Sequence, residues 1–212
     1  MTEVKICGVN SEAAFDAVVE AGADYLGFVF FKRSPRFVTA AEAANLSARY
    51  GGGPQRVGLF VQPDIAAIQA VRAELQLDVL QIYGDPALCR EISEQTNLPV
   101  WRAVGVRQAE DLPTAIDAET GLVIEAAPPK DATRPGGNAV TFDWSILRGW
   151  QTPVPWLLAG GLSVENVAEA IRISNAPGVD VSSGVETAPG EKSAALIKQF
   201  VLNARNASRW VQ

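Results

Sequence analysis

PWLLAGGLSVENVAEAIRISNAPGVDVSSGVE, residues 155 to 186, holds two short apolar runs that each end in a glycine-rich turn, with a helix-like pattern between them. The runs PWLLAG and VDVSSG read as buried strands, and the turns AGGLS at 159–163 and DVSSGVE at 180–186 read as a phosphate cradle. Adjacent glycines let backbone N–H groups turn toward one anion, and a helix N-terminus that follows adds about half a positive charge. In an eight-stranded (β/α) barrel such a cradle lies on the loops after the seventh and eighth strands. The rest of the chemistry then belongs at the other strand ends of that face.

Working outward, the same strand-then-helix unit occurs eight times. The strand candidates are VKICGV at 4, YLGFVF at 25, RVGLFV at 56, VLQIY at 79, VWRAVGV at 100, GLVIEA at 121, and the two already quoted. Most are β-branched or aromatic and apolar on both faces, as parallel strands covered by helices must be. Helix patterns fill the intervals, including QAEDLPTAID at 108–117 and TFDWSIL at 141–147. Thr39 with Glu42 spells a capping box, Ser163 is a cap candidate for the seventh helix, and Pro63 suits a first helical turn. Eight alternations in 212 residues favour a single-domain (β/α)8 TIM barrel over residues 1–212 rather than an open doubly wound sheet. The longest segment without a pattern, Ala127 to Val140, follows the sixth strand and reads as a lid or as a surface insertion.

With 48% hydrophobic and 20% charged residues, the chain can bury about seven-tenths of its unfolded surface in one core. Two cysteines, Cys7 and Cys89, are too few for a disulfide scaffold, and no leader pattern precedes MTEVKICGV, which points to a reduced, cytoplasmic setting. No apolar stretch reaches the roughly 20 residues of a membrane helix. A net charge of -6 with scattered basic residues argues against a nucleic-acid footprint. Such a protein must hold an anion with local dipoles and a few placed cations. Histidine is absent, so acid–base work falls to carboxylates, cysteine, lysine and tyrosine.

Cys7 closes the first strand. It reads either as a small buried hydrophobe or as a thiolate favoured by the dipole of the next helix. Cys89, inside an amphipathic helix pattern, reads as packing. Glu125 ends an otherwise apolar sixth strand, where a carboxylate is costly to bury without an acid–base role or an ion-pair partner. FKRSPRF at 31–37 is a solvated basic turn or the source of a guanidinium, Arg36, that grips a carboxylate. Asp180 is suited equally to sugar hydroxyls and to an ion pair with Lys5 inside the barrel.

VKICGV, GFVFFKRSPRFV, VGLFV, LQIYG, GGNAVTFDWSIL, AGGLSVENVAEAI and VDVSSGVETAPGEK, in that order and spacing, resemble the phosphoribosylanthranilate isomerases of tryptophan biosynthesis. The likeness spans essentially the whole chain. It implies a (β/α)8 barrel that converts N-(5-phosphoribosyl)anthranilate into 1-(2-carboxyphenylamino)-1-deoxyribulose 5-phosphate by an Amadori rearrangement, with no cofactor and no metal. The resemblance makes Cys7 the general base, Glu125 the general acid and Arg36 the ligand of the substrate carboxylate. Gly160, Gly161, Ser183 and Gly184 become the phosphate-binding residues. A homodimer is compatible with the resemblance and is not specified by it.

Three positions depart from the pattern of the resembled family. Its acid is usually aspartate, one methylene shorter than Glu125; the usual histidine of LQLHG is Tyr83; and GGTGKTFDW is GGNAVTFDW, without its lysine. An uncompensated displacement of order 1 Å costs about a hundredfold in rate. Two rival readings are a Schiff-base lyase using Lys5, which shares the inward strand face with Cys7, and a phosphosugar-binding barrel with weakened catalysis.

Overall fold

A computed structural model describes residues 1–129, 131, 135–137 and 140–207. Eight parallel strands close into a barrel in sequence order, β1 Glu3–Cys7, β2 Tyr25–Val29, β3 Gln55–Val61, β4 Val79–Tyr83, β5 Val100–Val106, β6 Gly121–Ala126, β7 Trp156–Leu158 and β8 Gly178–Val181. All eight strand expectations from the sequence are met. Alternation along each strand sends every second residue inward. In β1, Val4 and Ile6 face the helices while Lys5 and Cys7 face the barrel axis.

The outward residues form the large core with the helices α1 Glu12–Ala21, α2 Ala40–Ser47, α3 Ile65–Arg72, α4 Pro86–Thr96, α5 Val167–Ser174 and α6 Ala194–Ala207. Ser11 caps α1, and Gly22 ends it at φ 69° in the left-handed region that favours glycine. The Thr39–Glu42 capping box is present at α2. Cys89 is buried in α4, as its helix pattern implied.

Two expected helices are single 3-10 turns instead, Ala109–Asp111 and Trp144–Leu147. Pro113 stops the first, because the residue before a proline is pushed out of the helical region. The second has room for four residues before the chain turns at Gly149, φ 78°. Pro63 precedes the true cap of α3, Asp64. Ser163 does not cap α5: that helix starts at Val167, and the Ser163 hydroxyl is turned instead onto the N–H of Glu165 at 3.3 Å.

A feature without a strong sequence signal is an antiparallel hairpin between β8 and α6, formed by β9 Glu186–Ala188 and β10 Glu191–Lys192. Its turn leans on the loop after β2. A Cβ on Gly190 would lie 2.5 Å from the Pro35 carbonyl, and the Asn10 amide donates to the Gly190 carbonyl at 3.0 Å.

Inside the barrel, Val57, Val79, Trp101, Val123, Leu157 and Ala159 form a dry cluster. Toward the C-terminal strand ends the interior becomes polar. Lys5 is 0% exposed and donates to Asp180 at 2.9 Å across the seam where β1 meets β8, at directly paired positions. Asp180 thus makes the ion pair with Lys5 that the sequence suggested as one of its two readings. A buried ion pair is costly to break one partner at a time, because the survivor is left charged in low dielectric. Asp180→Asn is expected to cost about 3–5 kcal/mol of unfolding free energy, whereas Lys5→Met/Asp180→Leu should recover most of it. Urea unfolding of the three proteins checks this, and a double variant no more stable than the single one would contradict it.

Candidate active site

The C-terminal strand ends open into a cleft. Cys7, Arg36, Glu125 and Asp180 all line it, and so do Gly160, Gly161 and Ser183. Gly184 does not. It sits behind, where a Cβ would lie 1.8 Å from the Leu162 carbonyl, so its place is to let the loops after β7 and β8 touch. Gly160 and Gly161 adopt φ 86° and 62°, and Cβ atoms there would strike the Ala126 amide and Thr141. The helix expected directly after AGGLS is separated from it by a turn. Asn166 ties that turn down, accepting from the Ser163 N–H at 2.8 Å and donating to the Gly161 carbonyl at 2.9 Å. After β8 a single 3-10 turn, Ser183–Val185, stands in the helix position.

Cys7 lies at the end of β1 with 5% exposure. Gly27 leaves room for it: a Cβ there would be 3.1 Å from the thiol and 3.3 Å from the Lys5 ammonium. Burial pushes the Cys7 thiol up, with Asp180 adding to the effect, while Lys5 and Lys192 work the other way. The sequence reading had the dipole of the next helix favouring thiolate. That helix begins only at Glu12, and the nearby cations are the Lys5 and Lys192 side chains.

Glu125, 5% exposed, is pushed up to about 8, chiefly by burial and further by Asp180; hydrogen bonding from Tyr83 and the charge of Lys5 oppose this. At neutral pH it is a carboxylic acid with a proton to give. Tyr83, from the end of β4, is raised well above the usual phenol value by burial and by Glu125.

Of the basic loop after β2, Lys32 and Arg33 are exposed and Arg36 alone turns in. The carboxylate it grips in this structure is Glu186, which accepts from Nε at 2.7 Å and from Nη2 at 2.8 Å. Glu186 also takes a bond from the buried Lys192 ammonium at 2.5 Å across the β9–β10 pair. Sequence reasoning did not assign Glu186 or Lys192 a place in the site; the signal was Glu186 at the end of DVSSGVE. With Glu125 protonated, the cleft sets Lys5, Arg36 and Lys192 against Asp180 and Glu186. A chain of net charge -6 has therefore built a locally positive site. Among the described residues, no group of three or more cysteine, aspartate or glutamate side chains could hold a metal ion, and no helix is long and apolar enough to cross a membrane.

The sequence expectation for the segment Ala127–Val140 falls partly on residues 130, 132–134 and 138–139, outside the described residues. Of the remainder, Pro135, Gly136 and Gly137 line the cleft.

A closed parallel barrel with an acid, a thiol and paired cations at its C-terminal strand ends is a (β/α)8-barrel enzyme. A sequence model of N-(5'-phosphoribosyl)anthranilate (PRA) isomerase matches residues 4–203, and the chain belongs to that family. It is 52% identical over 209 residues to N-(5'-phosphoribosyl)anthranilate isomerase of Acidiphilium cryptum, with 98% of this chain and 100% of the relative covered. Among solved structures, the dimeric phosphoribosylanthranilate isomerase from Thermotoga maritima, in the form of generated monomers, superposes with TM-score 0.79 at 33% identity, covering 97% of this chain and all of that one. A phosphoribosyl anthranilate isomerase in complex with reduced 1-(o-carboxyphenylamino)-1-deoxyribulose 5-phosphate superposes with TM-score 0.82 at 33% identity, over the same shares of both chains.

The ionisation of Glu125 has a consequence for stability. A carboxyl that titrates near 4.5 in the unfolded chain and about 8 in the folded one makes the native state hold an extra proton between those values. Its contribution to stability is complete below 4.5 and declines as pH rises to about 8, by at most about 1.4 kcal/mol per pH unit. Unfolding free energies measured from pH 5 to 8 should fall more steeply for the native protein than for Glu125→Gln. Parallel curves would place the Glu125 carboxyl in water.

Proposed function

We infer that this isomerase carries out the Amadori rearrangement of N-(5'-phosphoribosyl)anthranilate with Glu125 as general acid and Cys7 as general base. The observation that carries the reading is one cleft holding a carboxylic acid kept neutral by burial and a thiol beside an ammonium. Glu125 donates its proton to the furanose ring oxygen, the bond from that oxygen to C1 breaks, and the nitrogen lone pair forms the Schiff base. Cys7 acts through its thiolate, formed by loss of the thiol proton to solvent and stabilised by the Lys5 charge, and removes the C2 proton. The resulting enolamine tautomerises to the ketone.

Arg36 is the ligand of the anthranilate carboxylate, presented by Glu186 so that its remaining N–H groups serve the cleft. The phosphate goes to the turns holding Gly160, Gly161 and Ser183, with Gly184 acting behind them through the loop contact. Asp180 serves the site by holding Lys5 and by its exposed edge in the cleft. The whole reaction fits one barrel domain over residues 1–212, and the two free cysteines suit the reducing cytoplasm. The dimeric Thermotoga maritima relative supports a homodimer for this chain. A Schiff-base lyase through Lys5 is disfavoured, because that amine is ion-paired and its pKa is raised above its ordinary value, which keeps it charged rather than nucleophilic.

Cys7→Ser and Glu125→Gln should each lower turnover by about a hundredfold or more with substrate affinity little changed, the loss that follows removal of a general base or acid. Steady-state turnover on the phosphoribosyl substrate decides it, and near-normal kcat in Cys7→Ser would return Cys7 to packing. Arg36→Met should weaken carboxylated product analogues by about 1.5–3 kcal/mol, the scale of a charge-assisted hydrogen bond, and leave analogues lacking the carboxylate nearly unaffected. Calorimetric titration of both analogues separates the outcomes, since equal weakening would assign Arg36 to general electrostatics.

A further inference from the structure

Strand β5 runs between the strands that carry Tyr83 and Glu125. Its inward positions run Trp101, Ala103, Gly105, so the bulk ends below the cleft, and Gly105 is the register partner of Glu125. The Tyr83 and Glu125 side chains interact with each other from either side of β5. Both arrive at one point in the loop after β6: a Cβ on Gly136 would lie 2.2 Å from the Tyr83 hydroxyl oxygen and 2.9 Å from each Glu125 carboxyl oxygen. Gly136 has no positive φ to demand glycine. What demands it is the three oxygens that occupy the space a Cβ would take.

We propose that Tyr83 is a positioning residue for the general acid, its hydroxyl fixing the Glu125 carboxyl against Gly136 and so setting which way the acid faces the substrate. A glutamate side chain has one more rotatable bond than an aspartate, and a flexible acid loses rate through misplacement. A rigid phenol, held by its ring against Leu59 and Val61 on the neighbouring strand, removes that freedom. The groups facing Glu125 are few. Tyr83 comes from β4, Lys5 from β1 and Asp180 from β8, while β5 offers Gly105 and the β6 loop offers Gly136. Cys7, from β1, faces Tyr83. Among these, the Tyr83 hydroxyl is the neutral donor able to hold the carboxyl without changing the charge of the cleft.

The inference rests on Glu125 being the acid, and the test separates the two. Carboxyl-region NMR of glutamate-labelled protein, with Glu125 assigned by its loss in Glu125→Gln, should show it titrating near 8 in the native protein. In Tyr83→Phe the midpoint should rise, because the lost hydroxyl favoured the ionised form. The same variant should lower kcat about tenfold with KM unchanged, the scale of a misplaced acid. In a Glu125→Gln background it should cost nothing further, since the group it positions is gone. An unmoved midpoint, or a kcat loss that multiplies with that of Glu125→Gln, would overturn the role of Tyr83. Full turnover in Glu125→Gln would instead overturn the acid assignment, leaving the titration result to speak for the contact. Gly136→Ala gives a second route: it should impair the native protein and be relieved in Tyr83→Phe, where the oxygen 2.2 Å away is absent. Equal impairment in both backgrounds would count against the contact.

Discussion

The ion pair between Lys5 and Asp180 is the constraint around which the working end of the barrel is organised. It spans the seam at which the eighth strand meets the first, at directly paired positions, so barrel closure and charge neutralisation are one event. Above it the interior cannot be apolar. Lys5 passes its field to Cys7 and Glu125, while Asp180 opposes ionisation of both. The dry cluster around Trp101 and Leu157 keeps water from entering beneath, which is why these charges act strongly on one another.

The same low dielectric acts on Glu125 and Cys7. The Glu125 carboxyl, which would be charged in water, is shifted toward its neutral form by burial, and the Cys7 thiol, already mostly neutral in water, is pushed further the same way. A buried carboxyl with a raised pKa can give a proton at neutral pH, and an ammonium beside a thiol favours the thiolate form, which can take one. The acid's environment is shaped by neighbours that differ together from the pattern of the resembled family. Glu125 and Tyr83 meet at Gly136, so two departures that look separate along the chain occupy one place in space.

Arg36 illustrates a second device. Its guanidinium is delivered by a loop, yet its direction is set by the β9–β10 hairpin, whose Glu186 holds two N–H edges while Lys192 holds Glu186. The turn of that hairpin packs on the Pro35 carbonyl, beside Arg36 in sequence. Loop and hairpin therefore fix each other, and a cation that would be mobile on a solvated turn becomes a pre-aimed one.

The eight strands and their order were legible in the chain itself, because a parallel strand covered on both sides must be apolar and β-branched, and in the first strand alternation puts Lys5 and Cys7 on the same face. The placement of Cys7, Glu125, Arg36 and Asp180 around one cleft was legible for the same reason, each lying at or just past a strand end. QAEDLPTAID and TFDWSIL were overread as helices: in the first Pro113 cuts off an otherwise helical pattern, and in the second the chain turns after four residues. What tertiary structure alone decided was pairing and ionisation. No spacing reveals that Glu186 faces Arg36 across 150 positions, that Asp180 neutralises Lys5 across 175, or that Tyr83 and Glu125 meet at Gly136. Those depend on barrel closure, and a pKa depends on the distances and burial that closure creates.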